Sequence, residues 1–569
     1  MSATPAAAPT TPPVAATPRA AATLIVLRDA PRGLEVLMLR RAERPGDQNS
    51  GAAVFPGGLL DQSDGTHHAL CDGLDDAAAS ARLNLPANGL DYWINAIREC
   101  FEEAGLLFAR DANGAFADLS RLGADEVFAL RDALHSNRLG LDAVCARLGV
   151  RLSAQSLAYY SHWITPLGLP KIFDTRFFIA ESPANQTTLA DGGESVELLW
   201  LTPAEALDKA RALKLMHVTA VTLKHLAGFT TAAQAIAAAR AQGAIAVTRP
   251  RLATGPKGRQ PVDRGAWAFA EIGRLDPEGR GHVSTELLPG RPVWLSPRVL
   301  RVTAPNGSLM TGPGTNSYFI GAPGSDAWAL LDPGPDDAAH LQALREAAPG
   351  KVTRILVTHT HKDHSPAAAP LAAEWGVPTF GLVANSPEWQ DTGFVPTQTL
   401  HGGERIVLGE GVSLRVLHTP GHASNHLCYL LEQEKLLFTG DHLMQGSTVV
   451  INPPDGDMVA YLASLNALLG EDLAWLAPGH GFLIDAPHEV VRKTIAHRLA
   501  REAKVLAAVT AHGPADAATL LPIVYADTSD KLHGVALRSL QAHLHKLHRD
   551  QAVTLDAQAR YSLSRRLSP

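Results

Sequence analysis

Between Leu356 and Ser365 the chain reads Leu-Val-Thr-His-Thr-His-Lys-Asp-His-Ser, which puts three histidines and an aspartate within six positions. The apolar, β-branched run Val352 to Val357 just before them reads as a buried strand. One histidine at such a place is often a satisfied core residue. Three of them with a carboxylate, directly after a strand, point instead to metal ligands. Imidazole nitrogen mixed with carboxylate oxygen is the donor set that zinc prefers. Further ligands are then to be sought downstream.

The pattern His-x-His-x-Asp-His resembles the signature of the metallo-β-lactamase superfamily. The rest of that family's pattern follows in order: Leu331-Asp332-Pro333-Gly334 at a strand end upstream, then Thr419-Pro420-Gly421-His422, Phe438-Thr439-Gly440-Asp441 and Ala477-Pro478-Gly479-His480. The resemblance covers Val299 to about Arg492 and implies an αββα sandwich. It also implies that His359, His361 and His422 hold one zinc, that Asp363, His364 and His480 hold a second, and that Asp441 bridges them. Two zinc ions about 3.5–4 Å apart lower the pKa of a shared water and supply a metal-bound hydroxide at neutral pH. They then stabilise the oxygen that develops negative charge. Asp363 would orient the nucleophile. His442 would either give a proton to the leaving group or hydrogen-bond behind the ligands.

Spacing narrows the subgroup. His364 and Asp441 stand where zinc β-lactamases usually carry a cysteine, which resembles the glyoxalase II and RNase Z type of site. Thirty-eight residues separate Asp441 from His480, too few for the cap domain of the larger nucleases. Antibiotic hydrolysis is not expected.

A second cluster lies far upstream, in Ile97-Arg98-Glu99-Cys100-Phe101-Glu102-Glu103-Ala104-Gly105-Leu106. This reads as a helix with Gly105 near its end. Glu99, Glu102 and Glu103 fall at i, i+3 and i+4 and share a face. Such a trio is either a solvated acidic surface or a place for a hard cation such as Mg²⁺. Arg-Glu-x-x-Glu-Glu-x-Gly-Leu resembles the second half of the Nudix box, and Gly57-Gly58-Leu59-Leu60-Asp61 its opening glycines. That family cuts a diphosphate joined to another moiety, and the resemblance makes Glu99, Glu102 and Glu103 ligands of Mg or Mn, with Glu103 catalytic. Asp64 stands where the family has its first glutamate, and the 33 residues between Asp64 and Arg98 exceed the family's spacing. An interruption there looks like the coenzyme A diphosphatase branch, as do His162-Trp163-Ile164-Thr165-Pro166 and Phe173-Asp174-Thr175-Arg176-Phe177-Phe178.

At 569 residues the chain has room for several cores. Residues 1–20, mostly Ala, Pro and Thr, read as a disordered leader without the apolar stretch of a signal peptide. Residues 21–243 form the Nudix domain, opened by a hairpin of Ala22 to Leu27 and Leu34 to Leu39 and closed by helices from Pro203 to Leu213 and from His217 to Gly243. Residues 244–297, rich in Gly, Pro and Arg, read as a linker with short strands. Residues 298–489 carry the lactamase-like domain. Residues 490–569 read as a winged helix of three helices and a hairpin, with Leu537, Leu540, Leu544 and Leu547 on one face of the third helix. His533, Arg538, His543, Lys546 and Arg549 lie around that helix, facing either phosphates or plain solvent.

The net charge of −7 argues against wholesale nucleic-acid binding. Four scattered cysteines without a Cys-x-x-Cys pair suit a reducing, cytoplasmic setting, and no run is long enough to span a bilayer. The expected fold class is multidomain α/β and α+β: a Nudix α/β/α sandwich, an αββα sandwich and a small winged helix. Two functional readings follow. One is a two-headed hydrolase, with Mg-dependent cleavage of a diphosphate and dizinc hydrolysis of an ester, thioester or phosphodiester. Its small-molecule substrate would be a coenzyme A ester or nucleoside diphosphate derivative, and the protein a homodimer. The other is an RNA-cleaving dizinc enzyme that binds nucleic acid through its winged helix, with a nucleotide-sensing Nudix domain.

Overall fold

The computed structural model describes residues 17–43, 50–189 and 195–564. It divides into two compact units, one up to Leu252 with residues 278–280, the other comprising 253–277 and 281–569. Residues 1–16 of the expected leader lie outside the described residues, and at Arg19 the chain is already in a strand.

The first unit is built on the strand Arg19–Ala30. It pairs antiparallel with Gly33–Arg41 and parallel with Phe173–Glu181, which in turn pairs antiparallel with Ala158–Ile164. Side chains alternate across a strand, and here both faces are apolar. Leu24 and Val26 join Leu37, Leu39 and Phe178 on one face, while Ile25 and Leu27 join Val36, Met38 and Ile179 on the other. A helix layer covers each. Leu90–Ala104 buries Trp93, Ile97 and Phe101 against the first face, with the Trp93 and Phe178 rings 4.5 Å apart. His217–Leu226 and Ala232–Ala241 cover the second. These two were expected as a single helix. The chain breaks at Gly228, and Thr231 caps the new start by accepting from the Gln234 N–H, a cap stronger than helix continuation through glycine.

In the second unit a seven-stranded sheet faces a five-stranded one. Tyr318, Ile320, Ala329 and Leu331 of the first meet Val416, Tyr429, Leu431 and Phe438 of the second in a shared core. Alternate residues point outward. Phe319 and Leu330 pack under the helices Ala338–Ala347 and Ala368–Trp375, while Cys428, Leu430 and Leu437 pack under Met458–Leu468. The αββα sandwich expected from the resemblance is therefore present. Behind it, helices Pro487–His512, Ala517–Val524 and His533–Arg549 and the hairpin of Val553–Leu555 with Tyr561–Leu563 close over Leu540, Leu544 and Leu547. That is the winged helix.

Much of the stretch expected as a linker is tied into this unit. Val293–Ser296 adds an edge strand to Val299–Thr303. Glu271, on the helix Phe269–Leu275, holds Arg301 through two hydrogen bonds of 2.7 and 2.8 Å, with both residues 2% exposed. The Glu271 carboxylate also accepts from the Leu483 N–H. A buried pair of this kind is costly to break from one side. Arg301→Met, which strands the carboxylate, is expected to destabilise the unit by about 3–5 kcal/mol. Urea denaturation would measure it, and the double change Arg301→Met with Glu271→Leu should recover most of the loss.

Candidate metal centre

The apolar strand Val352–Leu356 ends at the sheet edge, so the backbone beyond it is free to loop. The loop carries His359, His361, Asp363 and His364. Two glycines admit the remaining ligands. At Gly421 (φ 141°) a Cβ would lie 2.3 Å from the Tyr461 Cα, and at Gly479 a Cβ would lie 2.7 Å from both Asp441 Oδ1 and the His364 ring. Only glycine lets the strand ends before His422 and His480 come this close.

Seven expected ligands fall into two groups. In the first, Nδ1 of His361 stands 2.9 Å from Nε2 of His359 and 3.0 Å from Nε2 of His422. In the second, Nε2 of His480 lies 3.2 Å from Asp363 Oδ2 and 3.3 Å from Asp441 Oδ1, and Nε2 of His364 lies 3.5 and 3.3 Å from the same two atoms. Asp441 turns its other oxygen to the first group, 3.7 Å from His422 Nε2. The bridging position thus lies between the groups. His361 and Asp363 keep some exposure, so the centre opens at that part of the loop.

The donors fit metal ions. Buried Nε2 of His364 and Oδ1 of Asp441 face each other at 3.3 Å but, among the described residues, neither makes a hydrogen bond of good geometry, an expensive state that a shared cation would relieve. The ring nitrogens that face away are held. Nδ1 of His422 meets the Val450 carbonyl at 2.7 Å, Nδ1 of His480 the Gly314 carbonyl at 3.2 Å, and Nδ1 of His364 the Asp332 carboxylate at 2.9 Å. Such outer partners aim a ligand and raise its basicity. Burial drives His359 well below the ordinary imidazole range. Burial also opposes charge on His480, yet Asp441 and Asp363 lift it to about 9. His480 in the metal-free protein therefore carries a proton at pH 7 that a cation must displace. Zinc binding at pH 7 is expected to release protons and to weaken as the pH falls. Calorimetry in buffers of different ionisation enthalpy would measure both.

Asp332 is a functional residue whose part the motif alone does not reveal. At φ 47° its carboxylate accepts from the Thr358 N–H at 2.7 Å and the Thr358 hydroxyl at 2.8 Å, and holds His364 as well. Asp332→Asn is expected to lower metal affinity or turnover by about 10–100-fold, measured by zinc titration.

His442, expected as a proton donor or as support, stands behind the ligands. His426 stacks on His359 with centroids 5.0 Å apart, His442 lies 5.8 Å beyond His426, and the Tyr461 ring closes the series at 5.0 Å. Completely buried, and pushed down to about 3 by burial and the neighbouring His422, the His442 ring is neutral at pH 7, which favours support of the ligands over proton donation.

In the first unit the Gly57-Gly58 turn wraps the expected glutamates. The Gly57 N–H donates to Glu103 at 2.8 Å, and a Cβ on Gly58 would lie 2.4 Å from Glu99 Oε1. Asp64 is fully buried and grips Arg98 at 2.9 and 3.2 Å, occupying the place of the expected first glutamate. Burial pushes Glu99 up to about 7 against the pull of Arg98. Arg98 ties Glu102 to Glu99, its Nη1 lying 3.2 Å from Glu102 Oε1 and 3.0 Å from Glu99 Oε1, and the other Glu102 oxygen meets His135 at 3.2 Å. Glu99, held by Arg98, and Glu103, held by the Gly57 N–H, are carboxylates of the kind that suits Mg²⁺, which commonly takes one or two protein carboxylates and completes its shell with substrate phosphate. His68, expected to be structural, meets Asp91 at 2.6 Å and shares a third group with Asp76.

Around the third helix of the winged helix, most of the basic residues are engaged within the chain. His543 and Lys546 meet Glu502, Lys546 also meets Asp550, Arg549 meets Asp457, and His533 lies 3.6 Å from Asp530. Arg538 lies over the Trp389 ring, 4.6 Å from its centroid.

Comparison with known proteins gives the three domains in the same order. The model of the metallo-β-lactamase superfamily matches residues 310–480, that of the NUDT19 Nudix domain residues 74–216, and that of the β-lactamase-associated winged helix domain residues 517–560. The lactamase-like protein adaB of Aspergillus niger is 31% identical over 214 residues, which are 37% of this chain and 63% of that protein. The chain thus spans just under two thirds of that relative. The lactamase-like protein GME11357 of Pestalotiopsis microspora is 30% identical over 237 residues, 40% of this chain and 70% of that protein. The atrochrysone carboxyl ACP thioesterase of Aspergillus fumigatus is 29% identical over 283 residues, 46% of this chain and 84% of that protein. By this shared sequence, and by the ligand order that runs through it, the chain belongs to the metallo-β-lactamase superfamily, with a Nudix domain ahead of its sandwich and a β-lactamase-associated winged helix behind it.

Proposed function

We propose that this chain is a two-headed hydrolase whose αββα sandwich cleaves a thioester and whose Nudix domain cleaves a diphosphate, with coenzyme A esters as the substrate class that offers both bonds. One observation carries the reading: seven donors converge in two groups with Asp441 between them. The thioesterase name of the Aspergillus fumigatus relative supports a thioester over other acyl bonds.

His359, His361 and His422 would hold one zinc, and Asp363, His364 and His480 the other, with Asp441 shared. Bound there, the two ions would lower the pKa of a water and offset charge on the carbonyl oxygen. The chain itself aims the groups. Asp363 is steadied by His480 at 3.2 Å and lies 3.4 Å from the Thr315 hydroxyl, and it keeps an exposed edge. It is placed to orient the attacking water and take its proton. A thiolate leaves readily without a proton from the protein, so a buried His442 is no obstacle. In the Nudix domain Glu99 and Glu103 would hold Mg²⁺ or Mn²⁺ against the diphosphate, with Glu103 orienting water and Arg98 fixing Glu99 and Asp64. A reducing, cytoplasmic setting accords with the free cysteines Cys71, Cys100, Cys145 and Cys428. Among the described residues no helix is long and apolar enough to cross a membrane.

Mass spectrometry of the full-length protein with an acyl-coenzyme A, Mg²⁺ and Zn²⁺ tests both heads at once. Free acid with intact coenzyme A reports the thioesterase. Acyl-phosphopantetheine with adenosine 3′,5′-bisphosphate reports the diphosphatase. Unchanged substrate would overturn the reading and favour phosphodiester cleavage, which should steepen as salt is lowered.

A further inference from the structure

The metal centre opens beside His361 and Asp363, the two ligands that keep exposure. Lys362 stands between them, exposed. The segment Trp389 to Asp391 is knitted to the same loop. Gln390 bridges His361, its side chain accepts from the Thr360 hydroxyl at 2.7 Å, and the Asp391 N–H donates to the Thr360 carbonyl. Trp389 itself is 53% exposed and held at φ 69°, a left-handed conformation that bulky residues rarely adopt.

The third helix of the winged helix, His533–Arg549, reaches this segment through Arg538, which lies over the Trp389 ring. Arg538, Ala542, His545 and Arg549 follow one another at +4, +7 and +11, a single stripe opposite the leucines of the winged-helix core. Ala542 packs into the cluster of Met458 and Val491 on the sandwich. Arg549 pairs with Asp457, whose N–H donates to the carbonyl of Gly421, the residue before His422. The other end of the stripe sets Arg538 on Trp389, next to His361. Whereas Arg549 has its carboxylate, among the described residues neither Arg538 nor Lys362 has one within ion-pair distance.

We infer that Arg538, stacked on Trp389, and Lys362 form an anion subsite at the mouth of the metal centre that receives the phosphate of a phosphopantetheine thioester and fixes which thiol half the enzyme accepts. The inference rests on the thioester reading above and names the recognised group. Guanidinium and ammonium both meet phosphate with charge-assisted hydrogen bonds. The Trp389 face holds the guanidinium plane in place before substrate arrives. Lys362 lies in the chain between two metal ligands and Arg538 sits on Trp389, whose neighbour Gln390 bridges His361, so a phosphate held by both would lie beside the metal ligands.

The test compares octanoyl-4′-phosphopantetheine with octanoyl-pantetheine, which differ only in the phosphate and contain no diphosphate for the Nudix domain to cut. The full-length wild type is expected to prefer the phosphorylated substrate in kcat/KM, and increasingly so as salt is lowered. Arg538→Gln and Lys362→Gln should each reduce the ratio of the two kcat/KM values by roughly tenfold, the scale of one charge-assisted hydrogen bond. The loss should lie in KM, and Arg538→Lys should restore part of it. A variant that merely disturbs the loop would lower both substrates together and leave the ratio alone, overturning the inference. Equal use of both substrates by the wild type would also overturn it, while the thioesterase reading would stand. Hydrolysis of neither would remove both.

Discussion

Asp441→Asn is expected to lower thioester hydrolysis by about a thousandfold while diphosphate cleavage continues. Asp441 is the donor that both groups share, with one oxygen toward His364 and His480 and the other toward His422. An amide keeps the shape but offers one oxygen in place of two and no charge, so both ions lose a ligand together. Several kcal/mol of transition-state stabilisation reside in such a centre, and roughly 4 kcal/mol corresponds to a thousandfold at about 1.4 kcal/mol per decade. Gly479 leaves no spare space beside Oδ1 for a shifted ligand. Release of free acid would be followed by mass spectrometry, with zinc content measured alongside. Full activity with normal zinc content would count against Asp441 as the shared donor.

The converse is expected of Glu103→Gln. Diphosphate cleavage should fall by about a hundredfold or more, the range for loss of a positioned base or metal-orienting carboxylate, and thioester hydrolysis should continue. The Gly57 N–H would still find the amide oxygen of glutamine, so the turn is expected to keep its place. The lost quantity is charge at the cation, not architecture. Release of adenosine 3′,5′-bisphosphate from acyl-coenzyme A measures it. If both activities disappear in either variant, the heads do not act independently.

The two changes are readable in advance to different degrees. The seven donors of the sandwich follow from short patterns at strand ends, since each pattern fixes a ligand and the turn that presents it. Asp332 lies in one of these patterns, but its work depends on Thr358 and His364, 26 and 32 positions later, and only folding reveals the contact. Glu102 is a similar case. Helical spacing places it with Glu99 and Glu103, whereas its contact with His135, 33 positions later, appears only on folding. His442 reads as either a proton donor or a support because it sits beside a ligand, and the fold turns its ring behind His426. The helix expected from His217 to Gly243 fails for a local reason, since capping at Thr231 competes with continuation.

The buried pair of Glu271 with Arg301 bears on how such a two-part gene can be inherited. Recombination that exchanged the lactamase half at the end of the Gly, Pro and Arg-rich stretch would carry Arg301 and Leu483 away from Glu271, and a cut at residue 310, where the family match begins, would carry away Leu483. A cut ahead of Arg301 would leave the Glu271 carboxylate buried in one product and the Arg301 guanidinium buried in the other, each without its partner. Exchanges that survive should therefore fall ahead of residue 253, and the helix Phe269–Leu275 should travel with the metal centre it braces rather than with the Nudix domain it follows.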